Sequence, residues 1–185
     1  MEKALAYTDA NFDRFVDELK DFLRIPSVST DSKHAGDVRQ AADWLADHMR
    51  ALGVSKVEVM DTAGHPIVYG EQIVNPDAPT ILVYGHYDVQ PPDPLELWDS
   101  DPFDPQVRDG NLYARGSCDD KGQLFMHVKA AESYFKTDGA PPLNVKYIFE
   151  GEEEIGSKHL PQFLEEHKDL LDADVAFVSD TALFG

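Results

Sequence analysis

A chain of 185 residues, 42% hydrophobic and 10% aromatic, can bury a proper core in one domain, which excludes a disordered protein. Its formal net charge of −19 argues against nucleic acid or an anionic membrane as partner, since phosphate-rich surfaces attract basic ones. No segment approaches the roughly 20 apolar residues that cross a bilayer, no basic-then-apolar leader opens the chain, and the single Cys118 fits a reducing cytoplasm.

Phe12, Phe15, Val16, Leu19, Phe22 and Leu23 recur at helical spacing and predict a first helix from Thr8 or Asp9 to just before Pro26. Ile25-Pro26-Ser27-Val28-Ser29-Thr30 then reads as extended, because the residue before a proline avoids the helical region. A second helix over 37–52 turns Val38, Ala41, Leu45, Met49 and Leu52 inward and stops at Gly53. Residues 55–60 alternate as a strand, 66–74 form another, and Thr80-Ile81-Leu82-Val83-Tyr84 is apolar on both faces. That last pattern suits a strand inside a parallel sheet covered on both sides.

Five prolines make residues 90–106 a stiff irregular loop, and Asp109-Gly110 marks a hairpin. A third helix follows Gly122, with Leu124, Phe125, Val128, Ala131 and Phe135 in phase. After a strand at 144–149, a fourth helix is expected from Ser157 as N-cap through Leu160, Phe163, Leu164, His167 and Leu171. Residues 174–178 form the last strand. Strands alternating with helices predict an α/β fold, a mostly parallel sheet with helices on both faces.

Three of these strands run into chemistry-bearing residues: His86 and Asp88, then Glu150 to Glu154, then Ser179-Asp180. The carboxyl edge of such a sheet is where α/β proteins bind ligands. Imidazole and carboxylate donors suit a divalent cation, and an Asp two residues from a His can orient it. Between the first two strands, Arg115-Gly116-Ser117-Cys118-Asp119-Asp120-Lys121-Gly122 adds a glycine-flanked turn with adjacent carboxylates. Within this set Glu152 reads as a solvated loop residue, and Cys118 as a small packed hydrophobe rather than a thiolate ligand. Gly116 and Gly122 read as backbone devices for tight turns.

These segments resemble the M20 family of zinc metallopeptidases, which includes carnosine-type dipeptidases, aminoacylases and bacterial carboxypeptidases. Four signatures carry the resemblance in order: His86-Tyr87-Asp88-Val89-Gln90-Pro91, Tyr113 to Gly122, Glu150-Gly151-Glu152-Glu153-Glu154-Ile155-Gly156-Ser157, and Ser179-Asp180. Val-Gln-Pro after Asp88 points to the dipeptidase branch, and Ala114 stands where the family usually has glycine. The resemblance implies two zinc ions, with cobalt or manganese as substitutes, bridged by Asp119. His86 and Asp180 would ligate one ion and Glu154 the other. Asp88 would fix the tautomer of His86, and Glu153 would be the general base that deprotonates a metal-bridging water. It also implies a cis peptide between Asp119 and Asp120.

On this reading the 185 residues are the N-terminal portion of one catalytic domain. A lid or dimerisation domain, through which the full-length parent would form a homodimer, and a further metal-binding His lie outside it. His159 and His167 stand outside the motif positions. The substrates implied are dipeptides or short peptides. The residues leave open an N-acyl amino acid deacylase with the same core, a non-catalytic metal-binding or interaction module made from a truncated hydrolase, and a Mg²⁺ or Ca²⁺ carboxylate site. The chain alone is expected to be nearly inactive.

Overall fold

The structure is a computed structural model that describes residues 1–182. The final Leu183-Phe184-Gly185, expected to leave the last strand without a covering helix, lies outside the described residues. Helices α1 (Glu2–Ala10), α2 (Phe12–Leu23) and α3 (Ala35–Leu52) precede strands β1 (Lys56–Met60), β2 (Ile67–Gln72) and β3 (Thr80–His86). A hairpin of β4 (Gln106–Arg108) and β5 (Asn111–Tyr113) leads to α4 (Lys121–Asp138) and β6 (Asn144–Glu150). Helices α5 (Leu160–Glu166) and α6 (Lys168–Leu171) then precede β7 (Val175–Val178).

The main sheet runs in the order β1-β2-β6-β3-β7. Strand β3 pairs parallel with β6, from Thr80 opposite Asn144 to His86 opposite Glu150, and parallel with β7, from Ile81 opposite Val175 to Tyr84 opposite Val178. The β1–β2 and β2–β6 pairs are antiparallel, so the expected α/β sheet is mixed, and its parallel half carries the chemistry. Side chains alternate across the pleat with a period of two. Val68, Val83, Val145, Tyr147 and Phe149 pack with Phe22, Leu45, Met49 and Leu124 of the helices on one face. Ile67, Tyr69 and Ile148, with Leu82 and Tyr84, pack with Phe163 and Leu171 on the other. Helices therefore cover both faces, which is why β3 must be apolar on both.

Helix α3 ends as its sequence predicts, at Gly53 with φ 102°, a left-handed stop that a Cβ disfavours. Other boundaries differ. The first predicted helix is two helices starting at Glu2, broken at Asn11 (φ −116°, ψ 10°). There the Asn11 side-chain Nδ2 donates to the Tyr7 carbonyl (2.8 Å), which also accepts the Asn11 backbone N–H (3.1 Å), so a side chain competes for an acceptor of the helical ladder. Ser157 is no N-cap: it has φ 48° and its hydroxyl donates to Glu150 Oε1 (2.8 Å). Helix α5 begins only at Leu160, with Pro161 in its first turn, and breaks at His167 before α6.

Two tertiary devices hold the site's edge in place. The extended 25–30 segment lies along residues 87–89: Ser27 Oγ donates to the Tyr87 carbonyl (2.6 Å), the Val89 amide donates to the Ser27 carbonyl (3.0 Å), and Val28 bridges Val89 in parallel. Fully buried Lys121 donates from Nζ to the carbonyls of Phe22 (3.1 Å) and Ile25 (2.7 Å). It thus adds a second donor to carbonyls that already accept the backbone amides of Ile25 and Ser27, and ties the end of α2 to the start of α4.

Candidate metal centre

Strand β3 delivers His86 to the carboxyl edge with no solvent exposure. Gly85 just before it allows this placement, because a Cβ there would stand 2.7 Å from Asp120 Oδ2 and 2.8 Å from Leu124 Cβ of α4. One contact fixes the backbone of His86 and two fix its imidazole. The His86 amide donates to Asp120 Oδ2 (3.0 Å), and Nδ1 faces the Asp88 carbonyl (3.0 Å) and Asp88 Oδ1 (3.3 Å). Nε2 is left to face three carboxylates, Asp119 Oδ1 (3.0 Å), Asp180 Oδ2 (3.7 Å) and Glu153 Oε2 (3.9 Å).

The sequence-predicted residues thus separate into three groups. His86, Asp119 and Asp180 each offer a donor atom, and all three atoms lie within 4.8 Å of one another. Asp88 is sealed from solvent and lies outside the donor group. Its Oδ1 accepts the Glu153 amide and its Oδ2 the Glu154 amide (both 3.2 Å), so one carboxylate orients His86 and anchors the turn that carries both glutamates. Glu154 lies outside the tight group, its Oε2 accepting from Gln90 Nε2 (2.6 Å). The Asp119–Asp120 peptide is cis.

Two neighbouring acids play parts that the motif alone does not reveal. Glu152 is buried, which corrects its reading as a solvated loop residue. Its carboxylate accepts from His159 Nδ1 (2.7 Å), the His159 amide (3.3 Å) and the His65 amide (3.2 Å), and so binds the loop after β1 to the turn after β6. Only a long-range partner justifies burying that charge, and sequence spacing cannot show one. Asp120 is fully buried, with Oδ1 unpartnered. Cys118 is partly exposed and outside the donor group.

The electrostatics are lopsided. The ion pairs of Asp119, Asp180 and Glu153 among the described residues are all with His86. Burial lowers the imidazole pKa, but the Asp88 hydrogen bond and the charges of Asp88, Asp120 and Asp119 outweigh it and push it up to about 10. Burial raises Asp120 to about 7, against the opposing hydrogen bond and charge of His86. Burial likewise raises Glu153, with Asp180, Asp88 and Asp119 adding to it, and raises Glu154 against its Gln90 hydrogen bond. A cluster with one imidazole, several carboxylates and no Lys or Arg in those pairs fits a divalent cation. Nitrogen plus oxygen donors suit zinc, cobalt or manganese.

Known proteins resemble this chain in sequence and fold. A cysteinylglycine-S-conjugate dipeptidase from Corynebacterium striatum is 33% identical over 186 residues, covering 97% of this chain and 40% of that protein. The crystal structure of human carnosine dipeptidase 1 matches at a TM-score of 0.90 and 32% identity, over 98% of this chain and 41% of that one. An M20 family metallo-carboxypeptidase from Sulfolobus solfataricus matches at 0.82 and 36%, over 91% and 37%. The chain therefore spans about two fifths of the length of these relatives. No helix among the described residues is long and apolar enough to cross a membrane. Residues 82–183, which run from within β3 past Asp180 and so include every donor above, match Peptidase family M20/M25/M40, and the chain belongs to that family.

Proposed function

We propose that this chain supplies the metal-binding core of a dipeptidase, hydrolysing dipeptides or short peptides with two divalent cations, zinc before cobalt or manganese. The observation that carries the reading is the meeting of His86, Asp119 and Asp180 donors at the carboxyl edge, with Glu153 3.9 Å from the same imidazole. Dipeptidases among the relatives support the substrate class. His86 and Asp180 would hold one cation, Glu154 the other, and Asp119 would bridge them. Such a pair supplies Lewis acidity toward the amide carbonyl and makes water a stronger acid at neutral pH.

The protein's own residues do the rest. Asp88 holds Nδ1 of His86, so Nε2 stays directed at the carboxylate cluster. Through the Glu153 and Glu154 amides it also fixes where those side chains start. Neighbouring residues on a tight turn diverge, so one glutamate can ligate while the other faces substrate. Glu153 is the proton carrier, taking a proton from the attacking water and passing it to the leaving amine. Its raised pKa brings it closer to neutral pH, where a group can both accept and return a proton.

The test is Glu153→Gln in the full-length protein, with zinc content and dipeptide turnover measured together. The expected result is normal folding and full zinc content, with turnover lowered by about 10²–10⁴-fold. Zinc lost along with activity would exchange the roles of Glu153 and Glu154. Unchanged turnover would remove Glu153 from the chemistry.

A further inference from the structure

The side chain of Gln123, in the first turn of α4, is 6% exposed and uses its whole amide on two segments of the candidate centre. Its Nε2 donates to the carbonyl of Cys118 (2.7 Å), next to Asp119, and to the carbonyl of Thr181 (2.9 Å), next to Asp180. Its Oε1 accepts the Thr181 amide (3.3 Å) and hydroxyl (3.4 Å). One turn further along α4, His127 Nε2 meets Ser179 Oγ (2.8 Å), so Asp180 is held on both flanks by one helix.

This matters because the β3–β7 ladder ends at Tyr84 opposite Val178. Residues 179–181 have passed the last rung, and the Gln123 amide stands in for the missing strand by pairing with both backbone groups of Thr181. No other side chain of that length offers two donors and an acceptor in one plane: glutamate lacks the donors, and methionine lacks both. We propose that Gln123 is the positioning residue that sets the separation of the Asp119 and Asp180 carboxylates, and through it the affinity for the cation they share with His86. This rests on the metal-centre reading above. Gln123 touches neither substrate nor cation itself.

The test uses the full-length protein with Gln123→Glu and Gln123→Met. Zinc affinity is read by competition with a chelator, the cobalt(II) absorption spectrum reports ligand geometry, and metal-free thermal melts report folding. The expected result is zinc binding weakened by about 10–100-fold in both variants, with an altered cobalt spectrum and a metal-free melt close to wild type. If one variant does not fold, the other carries the test. Weakening confined to one of two folded variants overturns the proposal, because lost donors are common to both. Wild-type affinity in the folded variants also overturns it, as does failure of both to fold, which would make Gln123 a residue of core stability. A wild-type protein that binds no zinc would instead remove the metal-centre reading on which the proposal stands.

Discussion

His48 is an imidazole pressed against a buried ammonium. Lys129 Nζ donates to His48 Nε2 (2.7 Å), to Glu132 Oε2 (2.7 Å) and to Glu18 Oε2, using its three donors to join α2, α3 and α4. Glu18, His48 and Glu132 have donor atoms close enough to hold a metal, but the ammonium already occupies their centre. Trp44 stacks on the His48 ring at 4.9 Å, and Phe125 packs at 5.2 Å. Burial first, and the Lys129 charge second, depress the His48 pKa from 6.5 to about 4, with Arg14 adding to this and Glu18 and Glu132 opposing it. The unfolded chain therefore binds more protons across that window, and stability rises with pH through it. The contribution is fully present above 6.5 and is lost as pH falls toward 4. His48→Gln keeps an acceptor that does not titrate. Relative to that variant, the wild-type chain is expected to lose up to about 3 kcal/mol on acidification, read from urea unfolding at several pH values. Taking the difference cancels the carboxylates common to both proteins. Parallel pH dependences would mean that His48 is protonated as easily in the folded state.

The decisive element contact for the site is β3 against the start of α4. Gly85→Ala would push a methyl group toward Asp120 Oδ2 and Leu124, and neither backbone can retreat without moving His86 or Asp119. Overpacking of this kind costs about 1–3 kcal/mol, and thermal unfolding of the metal-free protein should show it. An unchanged melting temperature would mean that α4 slides to make room. Elements set by local patterns were legible in the sequence: α3 with its inward Val38, Leu45 and Met49, the hairpin at Asp109-Gly110, and β3 with two apolar faces. Three of the four motif segments were legible because they follow strands, the resemblance added Asp119 in the turn before α4, and the donor atoms of His86, Asp119 and Asp180 lie within 4.8 Å of one another. Features decided by particular side-chain hydrogen bonds, local or distant, were not legible. The Asn11 break rests on a side chain that competes with the helix, the late start of α5 on Ser157 answering Glu150, and the burial of Glu152 on His159 and His65. Gln123 has a fainter signal, sharing a helix face with His127 four residues on.

Across the whole molecule, cover is uneven. Strands β2, β6 and β3 lie inside the sheet, whereas β7 pairs on one side only among the described residues. Its Val175, Phe177 and Val178 are 54%, 50% and 56% exposed. An open strand edge with apolar side chains invites pairing with another chain. Asp180 follows two residues after its end, so the centre depends on an edge strand held by one ladder and the α4 contacts. Expressed as these 185 residues, the protein is expected to self-associate through this edge, with the associated fraction rising with concentration in sedimentation velocity. Val175→Lys places a charge on the strand and should shift the distribution toward monomer, while leaving zinc affinity near wild type because Val175 lies at the far end of β7 from Asp180. Association undiminished by that change would place the contact elsewhere, with the groove between α2, α4 and the β4–β5 hairpin, where Phe12 and Met126 are exposed, as the next surface to alter.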